Sequence, residues 1–324
     1  MPNKFSRTLF AGALLSGLAG TAMAETWNMA TPYPESNFHA QNHLQFAKDV
    51  KAATNGALEI VIHANGSLIP HAEIRNAVRN GTVPMGEFLL SRLSNENPLY
   101  EIDMVPFFVT DYPRAKRLWE VTREPVQKLL ARQNIVVLYS VPWPNNGLYA
   151  NKELRKIEDF RGLKFRSYTS TTERFAQLTG AVPTQVEIPD IAQAFATGRV
   201  ESMITSAATG VNIAAWDFVK RYYDTKSYLG KNVVVVNRQK FDGLSKDVQQ
   251  AVLKAAAVAE ERGWKMSADD DRNMAAKLAQ GGVIVEQPTP ELEASLRKIG
   301  DKMLEEWLAK AGPEGKAVVD QLGR

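Results

Sequence analysis

Hydrophobic and polar residues recur along the first part of the chain at two spacings, which predict strands and helices in turn. Leu58, Ile60 and Ile62 alternate with polar positions, as in a half-buried strand. Phe46 and Val50 lie four residues apart, which is typical of one face of a helix. Because strand and helix segments alternate, we expect an α/β fold with a mainly parallel sheet and helices on its faces.

The same alternation resumes after an interruption, so we expect two domains. Residues 141–147 contain two prolines and Asn-Gly, which favour a loop leading into the second domain. The longest helical pattern, residues 245–280, would span about 54 Å and brace both domains. The predicted division gives residues 25–147 and about 236–275 to domain I, and residues 148–235 and about 276–324 to domain II.

The N-terminus has the features of a secretory signal. Lys4 and Arg7 precede an apolar run, and Ala22-Met23-Ala24 supplies the small residues that a signal peptidase needs. We expect residues 1–24 to be a signal peptide cleaved after Ala24. No later stretch is long and apolar enough to span a bilayer, so a soluble protein in a periplasm is predicted.

Composition removes several classes of function. Lys and Arg number 39 against 36 Asp and Glu, and this weak charge of +3 argues against a nucleic-acid partner. The absence of cysteine excludes disulfides and thiol catalysis. His39 and His43 are spaced as a metal pair, but Ala40 stands where a metalloprotease has glutamate, and a third ligand is not evident. No enzyme activity, cofactor or metal is predicted.

One arginine is the leading candidate for binding. Leu163 and Phe165 share one face of a predicted strand, which leaves Arg166 on the other. The run 169–172 suits the N-cap of a helix, and helix N-termini favour anions. Arg166 is therefore a candidate carboxylate clamp, the alternative being a surface ion pair.

Seven segments together resemble the DctP-type solute-binding proteins of TRAP transporters, which are tripartite ATP-independent periplasmic systems. In chain order they are Ala30–Pro34, Ala53–Ile60, Gly66–Leu68, Gly81–Gly86, Val105–Phe108, Asp159–Arg166 and Gln193–Ser202. The resemblance covers nearly the whole mature chain. It implies a monomeric two-domain clamshell that closes on a small solute and passes it to one small and one large membrane subunit, driven by an ion gradient. It also implies that Arg166 binds a substrate carboxylate.

Two departures from the family pattern bear on the ligand. Many members carry a second arginine just after the glycine that matches Gly147, whereas this chain reads Leu148-Tyr149, which weakens the case for a dicarboxylate or sugar acid. Glu87 adds a carboxylate that would pair with an ammonium group. We therefore predict an amino acid or amino alcohol, the alternative being a plain monocarboxylate or a sugar acid. Glu87 could instead pair with Arg166 or Arg92 without touching ligand.

Aromatic and hydroxyl side chains complete the predicted site. Aromatic faces attract ammonium groups, although each of these residues could equally serve in core or hinge packing. The aromatic candidates are Phe38, Trp143, Tyr149, Tyr168 and Trp216, and the polar candidates are Thr205, Ser206 and Asn212. A sensory binding protein and a periplasmic enzyme remain as other classes, and genes for two membrane subunits beside this one would favour the transporter.

Overall fold

The computed structural model describes residues 24–323, so the predicted signal peptide, apart from Ala24, lies outside the described residues. The strands are β1 (Glu25–Ala30), β2 (Leu58–His63), β3 (Met85–Leu89), β4 (Ile135–Pro142), β5 (Asn146–Ala150), β6 (Lys164–Ser167), β7 (Val182–Gln185), β8 (Ser202–Ser206), β9 (Arg221–Tyr223), β10 (Lys231–Asn237) and β11 (Ile284–Glu286). The α-helices are α1 (Phe38–Ala53), α2 (His71–Arg79), α3 (Tyr112–Ala131), α4 (Ser170–Thr179), α5 (Ile191–Ala196), α6 (Ala207–Asn212), α7 (Arg238–Gly243), α8 (Lys246–Gln280) and α9 (Pro290–Leu322).

The first sheet has the strand order β2-β1-β3-β10-β4. β1 pairs in parallel with β2 and β3, as expected for strands joined by α1 and α2. β10 runs antiparallel to both β3 and β4. It returns from the second sheet, so no helical crossover from β3 fixes its direction. The sheet is therefore mixed, where the sequence predicted a mainly parallel one.

The second sheet has the order β11-β9-β5-β8-β6-β7. β6 pairs in parallel with β7 and β8, and β11 with β9, whereas β5 runs antiparallel to β8 and β9. This sheet is also mixed. Each sheet has its own buried apolar clusters. The predicted architecture of two sheet-and-helix domains is confirmed.

The long helix α8 joins the two domains, as predicted. It packs on α1 and β4 of the first and on α6 and β11 of the second. Gly263 permits the close approach to the first sheet, since a Cβ there would lie 2.4 Å from a Val141 methyl and 2.8 Å from Asn42 Nδ2. Within residues 24–323, no helix combines the length and apolar character that crossing a membrane requires.

Two local features involve prolines. α3 continues through Pro125, although proline is more often found in the first turn of a helix than in its interior. The apolar face formed by Leu118, Val126 and Leu130 is fully buried on both sides of the proline, and this burial outweighs the lost backbone hydrogen bond. β4 also extends to Pro142 and β5 begins at Asn146, so the irregular segment is shorter than residues 141–147.

The strands indicate where the chain passes between domains. It leaves the first sheet after Pro142 and enters the second at Asn146. It leaves the second after Tyr223 and re-enters the first at Lys231. We propose residues 142–146 and 223–231 as the two loop crossings, a few residues before the predicted boundaries. The chain crosses a third time, back to the second sheet, through α8, which precedes β11.

Candidate ligand-binding site

A cavity lies between the two domains and is lined by residues that follow strands of both sheets. Several of its walls come from residues at or just beyond the carboxyl ends of strands, where α/β proteins commonly bind ligands. Its lining combines apolar and aromatic side chains with a few polar and charged ones: Tyr33, His71, Leu89, Arg92, Met104, Trp143, Asn146, Arg166, Tyr168, Glu187, Ile188, Thr205, Thr209 and Gly230.

Arg166 lies on β6 with its side chain buried against the cavity. Its Nε donates to the Val186 carbonyl oxygen at 2.9 Å, and its guanidinium carbon lies 4.5 Å from the centre of the Tyr168 ring. Within residues 24–323, its two terminal nitrogens donate to no protein atom and no ion pair includes it. Burial lowers the pKa of Arg166, but a guanidinium remains charged at neutral pH. The surface ion-pair alternative is therefore wrong.

The helix start predicted after this strand is also present. Thr169 caps α4 by accepting a hydrogen bond from the Thr172 backbone N–H, and Thr172 Oγ1 bonds back to the Thr169 N–H. This reciprocal cap fixes the chain just beyond β6. Tyr168, immediately before the cap, lines the cavity, and its hydroxyl lies 2.9 Å from that of Tyr228.

An aromatic wall is formed by Trp143 and Tyr33, whose rings meet edge to face with centroids 4.8 Å apart. The Trp143 Nε1 donates to Asn232 Oδ1 at 2.9 Å, and the Tyr33 hydroxyl contacts the same oxygen at 3.3 Å. The polar atoms of both rings are therefore bonded away from the cavity, which leaves ring surface for a ligand.

An ion pair between Arg92 and Glu187 crosses the cleft. Arg92 follows β3 of the first sheet and Glu187 follows β7 of the second. Arg92 Nη2 and Nη1 lie 3.0 and 3.3 Å from the two carboxylate oxygens, and His71 Nδ1 lies 3.7 Å from Glu187 Oε2. Burial alone would raise the pKa of Glu187, but its contacts with His71 and Arg92 lower it to about 2.

The charges around the cavity sum to a single positive charge. Arg166 and Arg92 contribute two positive charges and Glu187 one negative charge. His71 is neutral at pH 7, because burial lowers its pKa despite the nearby Glu187. The electrostatics therefore suit one monovalent anion better than a dianion.

Neutral polar groups line the rest of the cavity. Asn146 Nδ2 donates to the carbonyl oxygens of Pro144 and Tyr228, both at 3.2 Å. The Asn146 side-chain oxygen accepts no bond from residues 24–323, so it is available to a ligand N–H. Thr205 and Thr209 also line the cavity, and the Thr209 hydroxyl lies 3.1 Å from that of Ser206.

Glu87 does not line the cavity, which corrects its predicted role. Thr31 Oγ1 and Asn232 Nδ2 donate to it at 2.6 and 2.8 Å. His39 Nδ1 and His43 Nε2 lie 3.1 and 2.8 Å from its oxygens, close enough for attraction although not aligned as hydrogen bonds. Burial would raise the pKa of Glu87, but His43 and His39 hold it well below its usual range. The carboxylate thus has its partners within the protein, and they are neither Arg166 nor Arg92.

Tyr149 also lies away from the cavity. Successive residues of a strand face opposite sides, so Tyr149 points away from the side on which Asn146 lines the cavity. Its hydroxyl donates to the Ser206 carbonyl oxygen at 3.0 Å, and its ring packs 4.7 Å from that of Tyr222. The predicted contact of Tyr149 with ligand is therefore replaced by a role in packing the core of the second domain.

The remaining candidates have structural contacts. Phe38 packs edge to face behind Trp143, with centroids 5.6 Å apart. Ser206 caps α6, and the Asn212 side chain accepts a hydrogen bond from Asn37 Nδ2 at 2.9 Å. Trp216 covers Gly281, where a Cβ would lie 2.5 Å from its ring. Of the predicted set, only Arg166, Trp143, Tyr168 and Thr205 line the cavity.

Sequence reasoning missed several lining residues. Arg92 entered only as a partner for Glu87, and Tyr33 only within a segment that carries the family resemblance. Glu187 had a usable signal, since it follows a parallel strand of the second sheet and precedes Ile188-Pro189. Within residues 24–323, no group of three or more His, Asp or Glu side chains is arranged to hold a metal ion.

A family comparison decides the class of protein. The DctP family, described as bacterial extracellular solute-binding protein, family 7, matches residues 29–311. The chain belongs to this family. It is accordingly a solute receptor of the TRAP type, as the sequence predicted.

Similar proteins bind small carboxylates. The receptor DctP7 of Bordetella pertussis, which binds pyroglutamic acid, is 42% identical with a TM-score of 0.91, over 92% of this chain and 99% of that one. A marine metagenome TRAP solute-binding protein specific for pyroglutamate is 38% identical with a TM-score of 0.90, over 92% and 98%. The C4-dicarboxylate-binding periplasmic protein DctP of Rhodobacter capsulatus is 25% identical over 287 residues, covering 85% of this chain and 84% of the relative.

Proposed function

We propose that this protein is the periplasmic receptor of a TRAP transporter and captures a small monocarboxylate of the pyroglutamate class. The observation that carries the proposal is the buried Arg166 guanidinium, which borders the cavity and whose terminal nitrogens donate to no atom of residues 24–323. A planar guanidinium binds both oxygens of a carboxylate at once. Membership of this family supports three parts of the proposal. The protein is exported to the periplasm, it delivers its solute to the membrane subunits of the transporter, and it acts as a receptor and not as an enzyme.

The rest of the lining supports a compact, neutral ring on the carboxylate. Trp143 and Tyr33 offer ring surface, and the Asn146 oxygen is available to the N–H of a lactam. The single net positive charge of the lining favours a monoanion. The two relatives at 38% and 42% identity bind this same acid. Because Glu87 lies outside the cavity, the ammonium-bearing solute predicted from the sequence loses its main support.

Isothermal titration calorimetry with L-pyroglutamate and L-proline separates the two ligand classes. The two molecules share a five-membered ring and a carboxylate, but proline carries an ammonium where pyroglutamate has a neutral lactam. We expect binding of pyroglutamate and at least tenfold weaker binding of proline, because Glu187, the carboxylate that residues 24–323 place in the lining, is already paired with Arg92. Succinate and glucuronate complete the panel. Preference for proline would refute the monocarboxylate proposal.

Two substitutions test the clamp. Arg166→Ala should raise the dissociation constant by about 30- to 4,000-fold, the equivalent of about 2 to 5 kcal/mol, since a buried carboxylate loses its partner. Arg166→Lys should restore only part of the affinity. Arg174→Ala is the matched control, because Arg174 pairs with Glu306 and does not line the cavity. Undiminished affinity in Arg166→Ala would exclude the clamp.

A further inference from the structure

A buried polar network lies behind the aromatic wall, and the proposed function does not by itself explain it. At its centre is Glu87, which is 0% exposed and meets two hydroxyl or amide donors and two imidazoles. Burying a carboxylate is costly unless its oxygens are satisfied. Asn232 connects this network to the side chains of the aromatic wall by hydrogen bonds.

Asn232 links the carboxylate to the wall through the two ends of its amide. Its Nδ2 donates to Glu87 Oε1 at 2.8 Å, while its Oδ1 accepts from Trp143 Nε1 and from the Tyr33 hydroxyl. Rotating the amide by 180° would turn the NH₂ group toward two donors. An ionised carboxylate can only accept hydrogen bonds, so Glu87 permits one of the two orientations.

We propose that Glu87 is a positioning residue that fixes the aromatic wall through Asn232. By holding the amide in one orientation, it keeps a single acceptor aimed at Trp143 and Tyr33. His39 completes the support, since its ring packs 4.5 Å from the Trp143 ring. The consequence for affinity rests on the proposed function, because it assumes a ligand packed against this wall.

The test replaces Glu87 with glutamine, which keeps the shape but can present either a donor or an acceptor. In Glu87→Gln we expect the dissociation constant for L-pyroglutamate to rise about fivefold, the usual effect of one buried hydrogen bond. In the ligand-free protein, the ¹H–¹⁵N signal of the Trp143 indole should shift or broaden. That signal is assigned by its loss in Trp143→Phe, and the buried Trp119 indole serves as an internal reference.

Tyr139→Phe is the matched control. The Tyr139 hydroxyl lies 2.8 Å from His43 Nδ1, at the end of the network away from Asn232. Its removal takes one buried hydrogen bond from the same network but leaves the link between Glu87 and Asn232 intact. We expect affinity within twofold of wild type and an unmoved Trp143 signal.

The outcomes separate this inference from the proposed function. A Trp143 signal in Glu87→Gln that matches wild type would overturn the positioning role, whatever the affinity. If Glu87→Gln does not fold, Asn232→Ser removes the link while the carboxylate keeps its other three partners, and the same two measurements apply. Failure of wild type to bind pyroglutamate would instead count against the proposed function, because the indole signal needs no ligand.

Discussion

The ion pair between Arg92 and Glu187 should hold the clamshell closed around its ligand. The two residues belong to different domains, so their contact exists only while the domains face each other across the cavity. Glu187→Gln keeps the size of the side chain and removes its charge. We expect weaker ligand binding, expressed mainly as faster release, because the contact stabilises the closed state alone.

The magnitude follows from burial and distance. Two charges about 4 Å apart attract by about 4 kcal/mol at an effective dielectric constant of about 20, whereas fully exposed pairs contribute about 0.2 to 1 kcal/mol. The Arg92 side chain is 14% exposed and that of Glu187 is 33% exposed, with nitrogen and oxygen 3.0 Å apart. An intermediate value of about 1 to 2 kcal/mol corresponds to a five- to thirtyfold rise in the dissociation constant.

Calorimetry gives the affinity, and stopped-flow tryptophan fluorescence gives the rate of release. Because both residues also line the cavity, the double variant Arg92→Gln/Glu187→Gln is needed to isolate the pair. If the pair acts as a unit, the double variant should lose less affinity than the sum of the two single variants. Strictly additive losses, or a Glu187→Gln release rate within twofold of wild type, would refute the reasoning.

Two further predictions concern pH and packing. The folded pKa of Glu187 is lowered from 4.5 to about 2, so its contribution should be complete above pH 4.5 and be lost as pH falls toward 2. The difference in thermal stability between ligand-saturated wild type and Glu187→Gln should shrink over that interval, and a constant difference would contradict the assignment. Gly263→Ala should lower the free energy of unfolding by about 1 to 3 kcal/mol in urea titrations, since the added methyl overlaps its neighbours. Gly243→Ala, with no atom within 4 Å of the added Cβ, should change it by less than about 0.5 kcal/mol.

The fold was largely predictable because it depends on local periodicity. The long helix was expected over residues 245–280 and is observed over Lys246–Gln280. It was predictable because its N-cap and its buried apolar residues can be recognised within one continuous segment of the sequence. Arg166 was identifiable for a similar reason, because strand alternation and a capping run lie within ten residues of it. The direction of β10 was not predictable from such patterns, since it depends on where the chain returns.

The site was less predictable because its contacts join distant segments. Glu87 meets His39 and His43 only because α1 packs beside β3, which no spacing in the sequence reveals. Leu89, two residues further along the same strand face, lines the cavity while Glu87 does not. The sequence prediction therefore assigned Glu87 to the ligand, although on this strand face the cavity begins only at Leu89, two residues further on.

The position of β10 sets the order in which the protein can be completed during synthesis. β10 lies between β3 and β4, yet it is made only after β5 to β9. A nascent chain that ends at Pro142 therefore contains β3 and β4 without the strand that joins them, and its open edges are available for wrong pairings. The first sheet cannot be finished until Asn237 of 324 residues has been made. We therefore expect that the amino-terminal half does not fold by itself. A chain cut within residues 147–222 should give two fragments that do not fold separately.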